Sequence, residues 1–290
     1  MPKIVIIILL FACTSMYAHG QLRDVHEATA LGNYISRHQW EQLFPNRYGM
    51  SAYKDPKRKD VPAKDFYSYE ALLEAAAHFP AFVQEGNDTV RKQELAAFLA
   101  HIAQETSGGW ANAPGGYFTW GLYFTEEQGC ENGCPVYSDT TKRAWPPVAG
   151  VSYHGRGPKQ LSWNYNYGQF SEAWYGSKDS LLLHPERLTQ NPVLAFASAL
   201  WFWMTPQPPK PSCHQVMTGQ WTPTARDSAA NRRPGFGATV NIVNGGIECG
   251  LPHPLEKTIY RYAYYHYFCT YLQVPPGNNA DCNAQRPFTE

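Results

Sequence analysis

Four apolar residues, Leu95, Phe98, Leu99 and Ile102, recur at i, i+3, i+4 and i+7, the spacing that lays one apolar stripe along an α-helix. Asp88 or Thr89 can cap the start of this helix, and Gly108-Gly109-Trp110 follows its end. Glu105 stands three residues beyond Ile102, on the inner side of the helix terminus, among Gln104, Thr106, Ser107 and Trp110. By spacing alone it could be an ordinary surface glutamate at a helix end; its polar and aromatic company argues for a half-buried carboxyl suited to acid catalysis. A second glutamate, Glu127, follows the ring-rich segment Trp120-Gly121-Leu122-Tyr123-Phe124. Two carboxylates beside stacking rings are what hydrolysis of a sugar polymer needs. One protonates the leaving oxygen, and the other activates water or attacks.

Further helices are expected over Tyr69 to Phe79, ended by Pro80, and from Pro192 through Trp203 with Asn191 as cap. A shorter one covers Phe236 to Val243, closed by Gly245-Gly246, and another runs from Leu255 to about Leu272. Strand signals are few. Turn-rich stretches fill 46–64, 129–153 and 205–234. The chain therefore reads as mainly α with a minor hairpin component. Residues 21–290 form one domain, since no linker, repeat or low-complexity tract interrupts them.

Residues 1–20 have the form of a secretory signal: Lys3, an apolar run from Ile4 to Ala12, and small residues around Ala18 and Gly20. The apolar run is too short to span a bilayer, so the expected product is secreted, extracellular and free of the membrane. The balance of 24 Lys+Arg against 24 Asp+Glu, without a basic block, argues against a nucleic-acid partner. Beyond Cys13 in the signal, Cys130, Cys134, Cys213, Cys249, Cys269 and Cys282 suggest disulfides in an exported chain, with ~15 connectivities open. No CxxC pair or HExxH helix is present, so neither metal nor cofactor is expected. Asn87-Asp88-Thr89 is a glycosylation sequon.

Two more clusters carry polar chemistry. Ser152 to Gly168 sets Gln160, Ser162, Asn164 and Asn166 among tyrosine and tryptophan rings, a donor density that suits sugar hydroxyls, acetamides or a positioned water. Its bland reading is a loop whose side chains satisfy their own backbone. Gly235 to Gly250 groups Asn241, Asn244 and Glu248 around a glycine-rich turn, without the Lys-Ser/Thr ending of a phosphate loop.

Five segments, AAFLAHIAQETSGGW (96–110), YHGRGPKQLSWNYNYG (153–168), ALWFWMTPQPPKPS (199–212), PGFGATVNIVNGGIECG (234–250) and NNADCNAQRPF (278–288), resemble the family 19 glycoside hydrolases, the plant-type chitinases. The resemblance spans nearly all of the chain beyond the signal. It implies a single-domain, mainly helical, lysozyme-like α+β fold with long loops and a substrate cleft between two helical lobes. It also implies hydrolysis of β-1,4 bonds in N-acetylglucosamine polymers, with inversion and without metal.

Carried over position by position, Glu105 is the general acid, Glu127 the base and Ser162 the residue that positions water, with Glu126 disfavoured by register. Trp145, Gln160, Tyr165, Asn166 and Asn241 match substrate-contacting positions. An inverting pair implies carboxyl groups ~6.5–9.5 Å apart. Aligned back from Cys269, the family's active-site arginine falls on Lys257, in a charge network with the acid and with Glu248. Arg261, one turn further on, matches another family arginine. Cys249–Cys282 matches a family bridge and Cys130–Cys134 is a local replacement for a second, leaving Cys213 and Cys269 undecided.

Three activities follow: an endochitinase acting on chitin or chitooligosaccharides as a monomer, a chitin-binding relative with weak or lost catalysis, and a lysozyme-like peptidoglycan hydrolase.

Overall fold

A computed structural model describes residues 29–48, 65–130 and 132–288, so the signal segment and most of the 46–64 stretch lie outside the described residues. The α-helices in chain order are α1 (Arg37–Leu43), α2 (Tyr69–Ala77), α3 (Asp88–Thr106), α4 (Asn164–Tyr175), α5 (Asp179–Leu182), α6 (Arg187–Gln190), α7 (Pro192–Met204), α8 (Cys213–Met217), α9 (Ala225–Ala229), α10 (Phe236–Glu248) and α11 (Glu256–Tyr271).

The striped helix is α3. Its cap is Asn87 rather than Asp88 or Thr89: the Asn87 side chain accepts the N–H of Val90 at 3.0 Å. Asn191 caps α7 in the same way, with Pro192 at the first position. Two helices run where turns were expected, and α4 runs where no helix was. α4 begins inside the polar 152–168 cluster, because Tyr167 and Phe170 bury one face against the core. α8 and α9 fall in the 205–234 stretch, each started by a reciprocal capping box, Ser212 with Gln215 and Thr224 with Asp227. α10 does not stop at Gly245-Gly246. It breaks its geometry at Asn244 (φ −149°, ψ 30°) and continues to Glu248.

Among the described residues the expected hairpin component is reduced to isolated bridges: Glu126 with Arg156, Arg156 with Leu161, and Gln207 with Lys210. Pro158 has no backbone donor, and the turn at Gly157 reverses the chain before a ladder can extend.

α3 packs most extensively on α11, and α2 on α7. Aromatic contacts knit the core: Phe98 meets Trp203 at 5.6 Å, Trp40 meets Phe44 at 4.6 Å, and Phe236 stacks on Tyr265 at 4.1 Å. A buried carboxylate ties three elements together. Glu94 on α3 accepts from the backbone of Val83, from Trp203 Nε1 on α7 and from His214 Nδ1 on α8.

The glycine-rich start of α10 is a docking surface for the C-terminal tail. A Cβ on Gly237 would lie 1.9 Å from the carbonyl oxygen of Asp281, so only glycine lets the tail approach. The Cys249–Cys282 disulfide fastens the far end of this contact. No described helix is long and apolar enough to cross a membrane.

Candidate active site

α3 delivers Glu105 into a cavity of about 430 Å³, where its side chain is 16% exposed. The cavity is lined by Glu105, Glu127, Tyr137, Lys159, Gln160, Leu161, Ser162, Trp163 and Asn166, and by Phe202, Val243, Asn244, Ile247 and Lys257 from α7, α10 and α11. A comparable cavity of about 480 Å³ opens beside Cys130–Cys134, but no carboxylate lines it.

Glu105 is held from behind. Arg261 on α11 is buried, and its Nη2 lies 2.7 Å from Glu105 Oε1 and 2.8 Å from Glu248 Oε1. The same guanidinium reaches Glu248 Oε2 through Nε and His101 Nδ1 through Nη1. This planar fork serves two carboxylates and a ring at once. Burial opposes ionisation of Glu248, but Arg261, the Asn244 amide and Lys257 outweigh it and hold the carboxyl below its usual range. Burial pushes His101 well below its ordinary value, and Arg261 adds to the shift. With Nδ1 accepting from Arg261, the ring is neutral and donates from Nε2 to Thr239 Oγ1, whose hydroxyl in turn donates to the Phe236 carbonyl. Among the described residues the network leaves Glu105 Oε2 to face the cavity.

Glu127 is placed by the turn at 153–161. Its backbone N–H donates to the Gly155 carbonyl, and Gly155 N–H donates back to Glu127 Oε2 at 3.1 Å. Tyr137 donates to Oε1 at 2.6 Å; burial and the Glu127 charge push the phenol up to about 12. Glu126 does not line the cavity. It faces His154 at 3.3 Å and Arg156 at 3.9 Å, on the other side of the bridge.

Ser162 Oγ donates to the Gln160 carbonyl at 2.9 Å, leaving its lone pairs unengaged among the described residues. Gln160 anchors to Gly157, and Asn166 to Ser162 and Gln207. All three line the cavity.

The remaining predicted contacts do not. Trp145 packs on Gly168 of α4 and donates to Glu172 at 2.6 Å. Tyr165 stacks beside Trp163 under Lys142. Asn241 is 1% exposed and spends both amide protons on Gln285 and the Arg286 carbonyl, while its oxygen accepts from Phe288. It holds the tail in place.

Residues 35–282 match the family described as chitinase class I, the family 19 glycoside hydrolases. The chain belongs to this family. Chitinase 9 of Oryza sativa subsp. japonica is 46% identical over 254 residues, covering 88% of this chain and 71% of that protein. An endochitinase of Carica papaya is 46% identical over 255 residues, covering 88% and 98%. Among solved structures, chitinase C from Streptomyces griseus HUT6037 superposes with a TM-score of 0.64 at 31% identity, over 86% of this chain and 97% of that one. The class IV chitinase from Zea mays does so with a TM-score of 0.56 at 34% identity, over 76% and 88%. The fold is thus the lysozyme-like one of the family 19 enzymes, as the motifs implied.

The two cations of α11 sit differently in the site. Counting back from Cys269 put the family's arginine on Lys257, yet the charge network is made by Arg261, and Lys257 lines the cavity instead. The shift arises because one helical turn separates the two cations on α11, and only the buried one can reach Glu248. Tyr137 was missed because a tyrosine in a turn-rich segment carries no spacing signal. Cys130–Cys134 and Cys249–Cys282 are bonded, with Cα separations of 5.3 and 5.1 Å, while Cys213 and Cys269 are buried free thiols.

Proposed function

We propose that the chain is a secreted endochitinase that cleaves β-1,4 bonds in N-acetylglucosamine polymers by single displacement with inversion. The observation that carries this reading is the presence of Glu105 and Glu127 in one cavity with different supports. Glu105 Oε1 is occupied by Arg261, so Oε2 is the oxygen that carries and delivers the proton to the leaving glycosidic oxygen. Glu127 is oriented by Tyr137 and Gly155 and takes a proton from a water that Ser162 helps hold. That water attacks the anomeric carbon from the face opposite the leaving chain. Gln160, Asn166 and Lys257 offer polar contacts along the cavity. Asn87 is exposed, and its capping bond uses only the side-chain oxygen, which leaves the amide nitrogen open to a glycan.

The Arg261 network also bears on the binding-only alternative, which drew on a lysine at the arginine position and on changed residues beside the acid. An arginine in contact with Glu105 weighs against the first of these.

The test is hydrolysis of chitohexaose with product anomers followed by NMR in early turnover. Initial α-anomers, lost in Glu105→Gln, are the expected result. Initial β-anomers would overturn the inverting mechanism, and turnover of peptidoglycan in preference to chitohexaose would overturn the substrate.

A further inference from the structure

Lys159 is the exception among the buried cations of this molecule. Arg47, Arg156, Arg232 and Arg261 each donate to carboxylates, carbonyls or hydroxyls. Lys210, also shielded from solvent, gives its ammonium to the Ile242 carbonyl at 3.0 Å. Lys159 is only 9% exposed, yet among the described residues it makes neither a hydrogen bond nor an ion pair. Its ammonium sits 4.5 Å from the centre of the Phe202 ring, and both residues line the cavity that holds Glu105.

A shielded ammonium with no acceptor from the protein for its three N–H groups depends on whatever enters the cavity beside it, and a cation over a ring face replaces only part of a hydrogen bond. Burial accordingly lowers the Lys159 pKa, against the pull of the Glu105 and Glu248 charges. A fold that gives each of these other cations at least one acceptor gives Lys159 none and turns it toward the cleft. The missing acceptor is therefore expected to come from outside the chain.

In a polymer of N-acetylglucosamine the acetamido carbonyl is the strongest neutral acceptor in each unit; the others are hydroxyl and ether oxygens. Its methyl group would meet the apolar Phe202 and Val243, which line the same space. A deacetylated unit presents an ammonium there instead, and two cations in a shielded cleft repel. We infer that Lys159 is a substrate contact that donates to an acetamido carbonyl, and that it excludes a deacetylated, cationic sugar from that position. This rests on the reading of the cleft as a chitinase site.

The experiment compares wild type with Lys159→Met on chitohexaose and on a partially deacetylated chitosan, measuring kcat, KM, the acetylation state of the new product ends, and melting temperature. Loss of one charge-assisted hydrogen bond should raise KM on chitohexaose about tenfold with kcat little changed. Product ends from chitosan, selectively acetylated with wild type, should become mixed. Melting temperature should hold or rise, because a largely shielded charge without a protein acceptor has been removed.

Unchanged KM and product ends overturn the inference, as does an effect confined to kcat and its pH profile, which would mean that Lys159 acts only on Glu105. If Lys159→Met melts lower, the lysine has a structural partner and the inference also fails. Lys159→Gln keeps an N–H donor without charge. It should retain more affinity than the methionine variant while accepting deacetylated units; the reverse order overturns the assignment. A wild type that does not turn over chitohexaose refutes the chitinase reading separately, and the affinities of the same variants for chitohexaose and for chitosan oligomers, by calorimetry, then decide the role of Lys159.

Discussion

Arg261 Nη2 lies 2.7 Å from Glu105 Oε1, so the carboxyl at the head of the cleft is gripped by a guanidinium that is itself buried. Because the same fork also holds Glu248 and His101, a lysine at 261 keeps charge but cannot make all of these contacts. Arg261→Lys should lower kcat by on the order of tenfold or more with KM nearly unchanged, the mark of a group that positions the acid. Arg261→Ala should destabilise by about 3–5 kcal/mol in denaturant melts, since two carboxylates lose their counter-charge. Lys257→Arg should bring no gain in kcat; a clear rise would return the arginine's role to position 257.

The two neighbouring glutamates should separate sharply. Glu127→Gln is expected to reduce kcat by about 10²–10⁴-fold, the range of a lost general base. Glu126→Gln perturbs the contacts to His154 and Arg156, outside the cavity, and should be mild. Tyr137→Phe removes the donor to Glu127 Oε1 and should fall between them. Single-turnover rates on chitohexaose give the order, and a larger loss at 126 than at 127 would reverse the assignment of the base.

His214 gives the molecule a pH-dependent stability. Burial opposes the imidazolium, but Glu94 and Glu85, which accept from its two nitrogens, outweigh burial and raise its pKa. Gln220, Trp203 and the Val83 backbone N–H, which also donate to these carboxylates, are uncharged. A raised folded value means the native state binds the extra proton. This contribution is whole below about 6.5, the unfolded value, and is lost as pH rises through the higher folded one. Urea melts should show wild type losing stability over that window relative to His214→Gln. Parallel pH profiles for the two proteins would exclude the effect.

The disulfides differ in what they close. Cys249–Cys282 spans a sequence separation of 33 and Cys130–Cys134 one of 4. Loop entropy gives about 3.7 kcal/mol for the longer and about 2 kcal/mol for the shorter. Paired Cys→Ser variants should follow that order in melting temperature.

Much of this architecture could be read from the residues. The stripe at Leu95, Phe98, Leu99 and Ile102 is a period, and periods survive folding; so do Asn191-Pro192 as a helix start and Glu105 at a helix end. What escaped was set by partners far along the chain. Nothing local marks Asn241 as a clamp for residues 285–288, or separates Lys257 from Arg261 on one helix. Short helices such as Cys213–Met217 end before an apolar period can repeat and show only in their caps. α4 hid inside a polar, ring-rich run because its donors face a cavity while Tyr167 and Phe170 face the core.

The tail that lies against Gly237 and grips Asn241 has a consequence for how the site can be disabled. Glu105 stands on α3, but its counter-ion Arg261 lies 156 residues further along the chain, and the strap of residues 278–288 lies beyond that. A chain nicked ahead of the strap can hold the glutamates without their scaffold. Cleavage there should therefore dismantle the site from behind, without touching its cleft.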